Sequence, residues 1–221
     1  MPTDPLIIDP ADPNLMNAVR SLSTTPGYCI FIDIVGSTAM KQRDIHEWVA
    51  LIHNCFANST MFLNVFRPLK SIGDELMFFI EDRDLATTGE TPLQIYDGLY
   101  QVATDMSSAF PPTKIVAAYC TSVYPMTFIR GTRDYYGIDV DRAARLKSIK
   151  PRPRERELVI DSEMYLRVKS HYDASGNQHQ FSSFLALKGP AEHHAKGIPQ
   201  PLQVYRTVVK EHKCKIWQKV F

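Results

Sequence analysis

Two aspartates stand where their neighbours give a carboxylate no ordinary reason to be. Asp33 comes near the end of the apolar run Tyr28-Cys29-Ile30-Phe31-Ile32-Asp33-Ile34, just before Gly36-Ser37-Thr38. Burying an unpaired charge there costs on the order of several kcal/mol, so the position calls for a salt bridge, a strand-end cap or a hard cation. Asp74 lies in Lys70-Ser71-Ile72-Gly73-Asp74-Glu75-Leu76, the tight turn of a hairpin. There it either makes an Asx-turn with its own backbone or meets Asp33 at a neighbouring strand end, the first strand of the hairpin lying beside the Asp33 strand. Two carboxylates so placed hold a pair of Mg²⁺ or Mn²⁺ ions about 3.5–4 Å apart, a device for activating a hydroxyl and neutralising leaving phosphates. The turn Gly36-Ser37-Thr38 opens a helix, where backbone N–H groups suit a phosphate. A third cluster runs from Asp134 to Leu146 and sets Asp141 and Arg145 four residues apart on one helix face. Either they form an ion pair worth about 0.3–0.5 kcal/mol, or Arg145 meets the charge that builds on phosphorus in phosphoryl transfer.

These residues need elements to hold them. The apolar pattern predicts a buried strand over 28–34 and a helix from Ser37-Thr38 to about residue 63, its face marked by Ile45, Trp48, Val49, Ile52 and Phe56. Strands over 66–72 and 76–80 form the hairpin, and a helix over 93–110 ends at Pro111-Pro112. Further strands are predicted at 114–123, 126–129, 158–160 and 202–209, a helical segment at 140–149, and a loop at Pro151-Arg152-Pro153-Arg154. The opening order, β-α-β-β-α-β, is an α+β plan with helices packed on one face of a mostly antiparallel sheet. Residues 1–26, rich in Pro, Asp, Ser and Thr, read as an arm, 27–210 as one domain, and 211–221 as a tail.

A formal net charge of +1 leaves no electrostatic footprint for nucleic acid or a membrane surface, so an anionic ligand must be held by local groups. Cys29, Cys55, Cys120 and Cys214 form no CxxC pair, which fits a reducing cytoplasm. Residues 1–13 lack the basic-then-apolar pattern of a leader, and no apolar run is long enough to span a bilayer. His193-His194 reads as an exposed turn, and Arg152, Arg154 and Arg156 as a solvated loop. Trp48 and Phe56 are expected in the core or at a dimer interface.

Taken in order, residues 31–38 (FIDIVGST), 70–75 (KSIGDE) and 134–146 (DYYGIDVDRAARL) resemble the class III nucleotidyl cyclases. The likeness continues weakly through Ala195-Lys196-Gly197 and Val204-Tyr205-Arg206. It implies a ferredoxin-like β-α-β-β-α-β core working as a homodimer with active sites shared across the interface. One chain would supply Asp33, Asp74 and the carbonyl of Ile34 to two Mn²⁺ or Mg²⁺ ions, and its partner Arg145. Lys70 and Asp134 match the family's base-reading pair, and Lys196 its phosphate-binding lysine. The reaction implied is attack of the ribose 3′-hydroxyl on the α-phosphorus with loss of pyrophosphate.

The sequence departs from that family in ways that bear on the base. Asp141 stands where the family carries an asparagine that positions the ribose. A glycine-punctuated strand is replaced by residues 114–129, with Tyr119, Tyr124, Met126 and Phe128, and Tyr135 and Tyr136 add bulk beside Asp134. A crowded site favours a small ring, and in this the chain is similar to the Pycsar pyrimidine cyclases of bacterial anti-phage defence. The expectation is therefore UTP, less so CTP, as substrate, with cyclic UMP acting on an effector. The alternative is an adenylate cyclase, because Lys70 and Asp134 are the pair such an enzyme uses. A catalytically silent nucleotide sensor is the reading of a different class.

Overall fold

The computed structural model describes residues 6–9, 11–63, 66–104, 113–129, 132–149, 155–176 and 178–210. A short strand β1 (Leu6–Ile7) and helix α1 (Leu15–Arg20) lead into β2 (Thr25–Ile34). Helices α2 (Ser37–Arg43) and α3 (Ile45–Phe62) follow, then the hairpin β3 (Lys70–Ile72) and β4 (Glu75–Glu81). Next come α4 (Asp82–Thr88), α5 (Pro92–Thr104), the long strand β5 (Thr113–Thr127), β6 (Tyr135–Tyr136) and α6 (Ile138–Arg145). A 3₁₀ turn at Leu146–Ser148 closes α6, and the chain finishes through β7 (Glu155–Asp161), α7 (Ser162–Ala174), β8 (Lys188–His193) and β9 (Leu202–Lys210).

The main sheet runs β3-β4-β2-β5-β7-β9-β8, antiparallel except for the β5–β7 pair. Alternation along the strands builds two cores. Tyr28, Ile30 and Ile32 with Leu76, Phe78 and Ile80 face α3, α5 and α7. Cys29, Phe31, Met77 and Phe79 face the opposite way, onto Ala143, Leu146, Ala195 and Leu202. The expected α+β architecture is the one observed, with α6 alone among the longer helices on the second face. Among the described residues, no helix is long and apolar enough to cross a membrane.

Local chemistry accounts for the places where the elements depart from the sequence pattern. The helix expected to run unbroken to residue 63 is two helices, because Asp44 takes an extended conformation and its carboxylate accepts hydrogen bonds from His46 and Glu47 N–H, capping α3. The strands expected at 114–123 and 126–129 are one, since Pro125 falls beyond the last β5 residue paired with β2, opposite Tyr135 of the two-residue β6. It is β4, not β3, that lies beside β2, so the second strand of the hairpin neighbours Asp33. Strand β3 is shorter than predicted, and helices α4 and α7 and strand β8 carry too few periodic apolar residues to stand out. The expected helix end at Pro111-Pro112, the loop at 151–154, Cys214 and the tail 211–221 lie outside the described residues. Arg156 is buried in β7 and not on a solvated loop, Phe56 is exposed on α3, and Trp48 donates its indole N–H to Ser37 Oγ at 2.8 Å.

Helix α5 presses Ile95, Tyr96, Leu99 and Val102 into the first core, and Thr91 and Gln94 cap it reciprocally. Gly98 lets it approach α3: a Cβ there would lie 2.6 Å from the Phe62 carbonyl oxygen. Gly98→Ala gains about 1 kcal/mol in helix propensity, but the clash with backbone costs about 1–3 kcal/mol. The variant should therefore be less stable than the wild type in urea unfolding; a gain in stability would show that α3 and α5 are not so tightly packed.

Candidate active site

The β2–β4 register pairs Ile32 with Leu76. One step further, Asp33 comes across from Glu75, and Asp74 follows in the turn, where Gly73 supplies the left-handed conformation at φ +66°. Asp33 and Asp74 are within hydrogen-bonding reach, and burial first, then the charges of Asp74 and Glu75, push the Asp33 carboxyl up to about 6. Glu75 is matched by Lys147, whose Nζ lies 2.9 Å from its carboxylate. Among the described residues, no ion pair neutralises Asp33 or Asp74.

That donor set fits a hard divalent cation. It is all oxygen, two carboxylates with the Ile34 carbonyl at the strand end, and such ligands suit Mg²⁺ or Mn²⁺. Among the described residues there is no group of three or more His, Cys, Asp or Glu side chains with metal-binding geometry.

The second pair formed is Lys70 with Asp134, distant in sequence and joined at 2.7 and 2.8 Å to both carboxylate oxygens. Asp134 is fixed further by the Tyr135 N–H at 2.9 Å and by the Tyr136 hydroxyl at 3.3 Å. Leu69, Arg133 and Tyr135, the chain neighbours of this pair, line a cavity of about 390 Å³ together with Arg67 and Phe79. Lys70 faces the same side of the sheet as Met77, its partner in register.

The remaining candidates stay apart. Asp141, Arg145 and Lys196 are exposed, and among the described residues no hydrogen bond or ion pair joins them to either pair or Asp141 to Arg145. The acid that anchors α6 is instead Asp139, which accepts from Thr121 N–H at 2.8 Å and Ser122 N–H at 3.2 Å and lies 3.6 Å from Arg142. Gly36 is left-handed at φ +79° and starts α2, Thr38 is exposed, and Ser37 is buried with its hydroxyl on Trp48. His193 ends β8 half-buried, with a ring nitrogen 2.8 Å from Ser148 Oγ, and is not in an exposed turn.

Two of the tyrosines expected to crowd a base have their hydroxyls engaged by other residues. Tyr119 faces the first core and donates its hydroxyl to Asp82 at 2.7 Å. Tyr135 is buried against Phe79, ring centroids 4.0 Å apart, and its hydroxyl donates to Glu81 at 2.5 Å. Sequence reasoning missed Glu75, Lys114 and Lys147 beside the aspartates; a lysine and a glutamate within strands otherwise apolar were the available signal.

No family model matches the chain, and no curated protein sequence matches it. Solved structures do. The adenylyl cyclase CyaB from P. aeruginosa superposes with a TM-score of 0.63 at 18% identity, over 87% of this chain and 98% of that one. The catalytic core of a rhodopsin-guanylyl cyclase with converted specificity, in complex with ATPαS, gives 0.62 at 13% identity, over 86% and 97%. An adenylate cyclase from Trypanosoma brucei in its monomeric state gives 0.62 at 12%, over 82% and 87%. The chain therefore has a class III nucleotidyl cyclase-like fold.

If the two carboxylates are a metal site, removing one should separate stability from function. Asp33→Asn relieves the repulsion in metal-free protein and is expected to raise Tm by about 2–4 °C, the response of a domain this size to ~1 kcal/mol. Mn²⁺ should raise the Tm of the wild type and leave that of the variant unchanged. Equal Mn²⁺ stabilisation of both proteins in differential scanning fluorimetry would rule the site out.

Proposed function

We propose that the protein is a nucleotidyl cyclase that converts a nucleoside triphosphate to its 3′,5′-cyclic monophosphate, with residues 27–210 as the catalytic domain. The observation that carries this reading is the un-neutralised Asp33–Asp74 pair at adjacent strand ends in a cyclase-like fold. Asp33, Asp74 and the Ile34 carbonyl would hold two Mn²⁺ or Mg²⁺ ions, which supply charge neutralisation at phosphate and a more acidic attacking hydroxyl. The 3′-oxygen forms a bond to the α-phosphorus as its proton leaves, and the bond to the pyrophosphate oxygen breaks. Arg145 and Lys196, exposed and without a hydrogen bond or ion pair among the described residues, serve the phosphates from a second protomer, with Gly36, Ser37 and Thr38 flanking them. Asp141 lies beside the ribose. The product is a second messenger.

For the base, ATP is the better supported substrate. The solved structures named above include adenylyl cyclases, and the Lys70–Asp134 pair matches adenine: lysine donates to N1 and aspartate accepts from the N6 amino group. The case for a pyrimidine is weakened because Tyr119 faces the first core and the Tyr135 ring is stacked on Phe79 with its hydroxyl held by Glu81. UTP remains a second reading, carried by Tyr136, which bonds to Asp134 and packs edge-on against Phe128 at 5.4 Å. In that reading cyclic UMP would feed an effector in anti-phage signalling.

Incubating the purified protein with Mn²⁺ and each of ATP, GTP, CTP and UTP, with products identified by mass, tests both. Cyclic AMP is the expected product; cyclic UMP would select the second reading, and no cyclic product from any of them would leave only a silent nucleotide-binding domain. The shared site has its own test. Asp74→Ala and Arg145→Ala proteins should each lose at least about 100-fold in kcat and regain activity on mixing, whereas no recovery would mean that the site lies within one chain.

A further inference from the structure

On the α6 face of the sheet, four adjacent strands carry charges of alternating sign. Asp33 on β2 is in register with Lys114 on β5, and Lys114 with Glu157 on β7. Glu157 in turn accepts two hydrogen bonds from the guanidinium of Arg206 on β9. Lys114 is only 5% exposed and Glu157 1%. A buried lysine between two carboxylates is expected to form an ion pair with one of them. Its ammonium instead donates to the carbonyl oxygens of Lys147 and Ile149.

Those carbonyls belong to the 3₁₀ turn that closes α6 and to the residue after it. Carbonyls at a helix end have no partner within the helix, and a lysine is a common remedy. Here the lysine comes from the strand that pairs with the Asp33 strand. A second clamp lies beside it: the Lys147 ammonium reaches Glu75 at 2.9 Å and sits 4.4 Å from the centre of the Phe31 ring. The segment that follows Arg145 is thus tied at two points to β2, β4 and β5.

We propose that Lys114 is a positioning residue that holds the end of α6, and with it Arg145, in fixed relation to the sheet. The proposal rests on the cyclase reading and its shared site. Since the arginine of one chain serves the aspartates of the other, Lys114 acts on the active site to which its own Asp33 does not belong.

The mixture of Asp74→Ala and Arg145→Ala chains isolates that direction, because its one intact kind of site takes Arg145 from the first chain and Asp33 and Asp74 from the second. Lys114→Met placed in the arginine-supplying chain should lower kcat by roughly 10-fold or more, as a misplaced catalytic group does, with KM within about twofold. Placed in the aspartate-supplying chain it should cost less than about threefold. Lys114→Arg, which keeps donors for both carbonyls, should restore most of the loss. Equal losses in both chains, or a loss confined to the aspartate-supplying chain, would overturn the proposal. An inactive mixture without Lys114 substitutions would instead sink the shared-site reading, and the proposal with it. Amide hydrogen exchange needs no activity: Lys114→Met should speed exchange across 138–149 and leave β2 unchanged, and unaltered exchange there contradicts the role. Should Lys114→Met fail to fold, Lys147→Met opens the second clamp and is expected to show the same one-sided loss of kcat.

Discussion

Like charges do not come together at the end of an apolar sheet unless the backbone leaves them no alternative. Here the constraint is the β2–β4 pairing, in register from Gly27 opposite Glu81 to Ile32 opposite Leu76. Both faces of these strands are buried, so a slip of one residue would turn every apolar side chain to the wrong core and carry Asp33 to the far face. The same register, continued through the Gly73-Asp74 turn, delivers Asp74 to Asp33. The cost of the contact is met by the burial of two complete rows of Ile, Leu, Phe and Met side chains, each worth about 1.5–3 kcal/mol.

The two ends of β4 show how differently one strand can treat a carboxylate. At one end Glu81 is fully buried but surrounded by partners: Tyr135 at 2.5 Å, Arg133 at 2.6 Å, Thr25 at 3.1 Å, and Arg83. Such a group is structural, held by a network that breaks badly if one member is removed. At the other end, Glu75 has its lysine, but among the described residues neither Asp33 nor Asp74 has an ion-pair partner. We read such a pair, beside a sheet otherwise well supplied with partners, as the place for the cations of the proposed reaction.

How much of this was legible in the sequence depended on the kind of signal. Strand β2, the hairpin and α5 declare themselves by apolar periodicity and turn residues, and the two aspartates stand out against that background. Helix α7 does not, because only Met164, Val168 and Tyr172 are buried in it and the rest reads as polar loop. The break at Asp44 was visible in principle, as an aspartate three residues before Glu47 is a capping pattern, but the apolar stripe on either side hid it. Which face a tyrosine takes on β5 depends on register, so Tyr119 looked like part of a base site when it belongs to the opposite core. The clamp from Lys114 to the end of α6 joins side chain to backbone across distant segments, and no local pattern encodes it.

We propose that Asp33 and Asp74 together hold the cations that meet a triphosphate. Anomalous diffraction from crystals grown with Mn²⁺ and 3′-deoxy-ATP, which lacks the attacking hydroxyl, tests this. Two manganese peaks about 3.5–4 Å apart at the Asp33 and Asp74 carboxylates are expected, with Arg145 of a second protomer at the phosphates. Triphosphate bound with no manganese at either aspartate would contradict it.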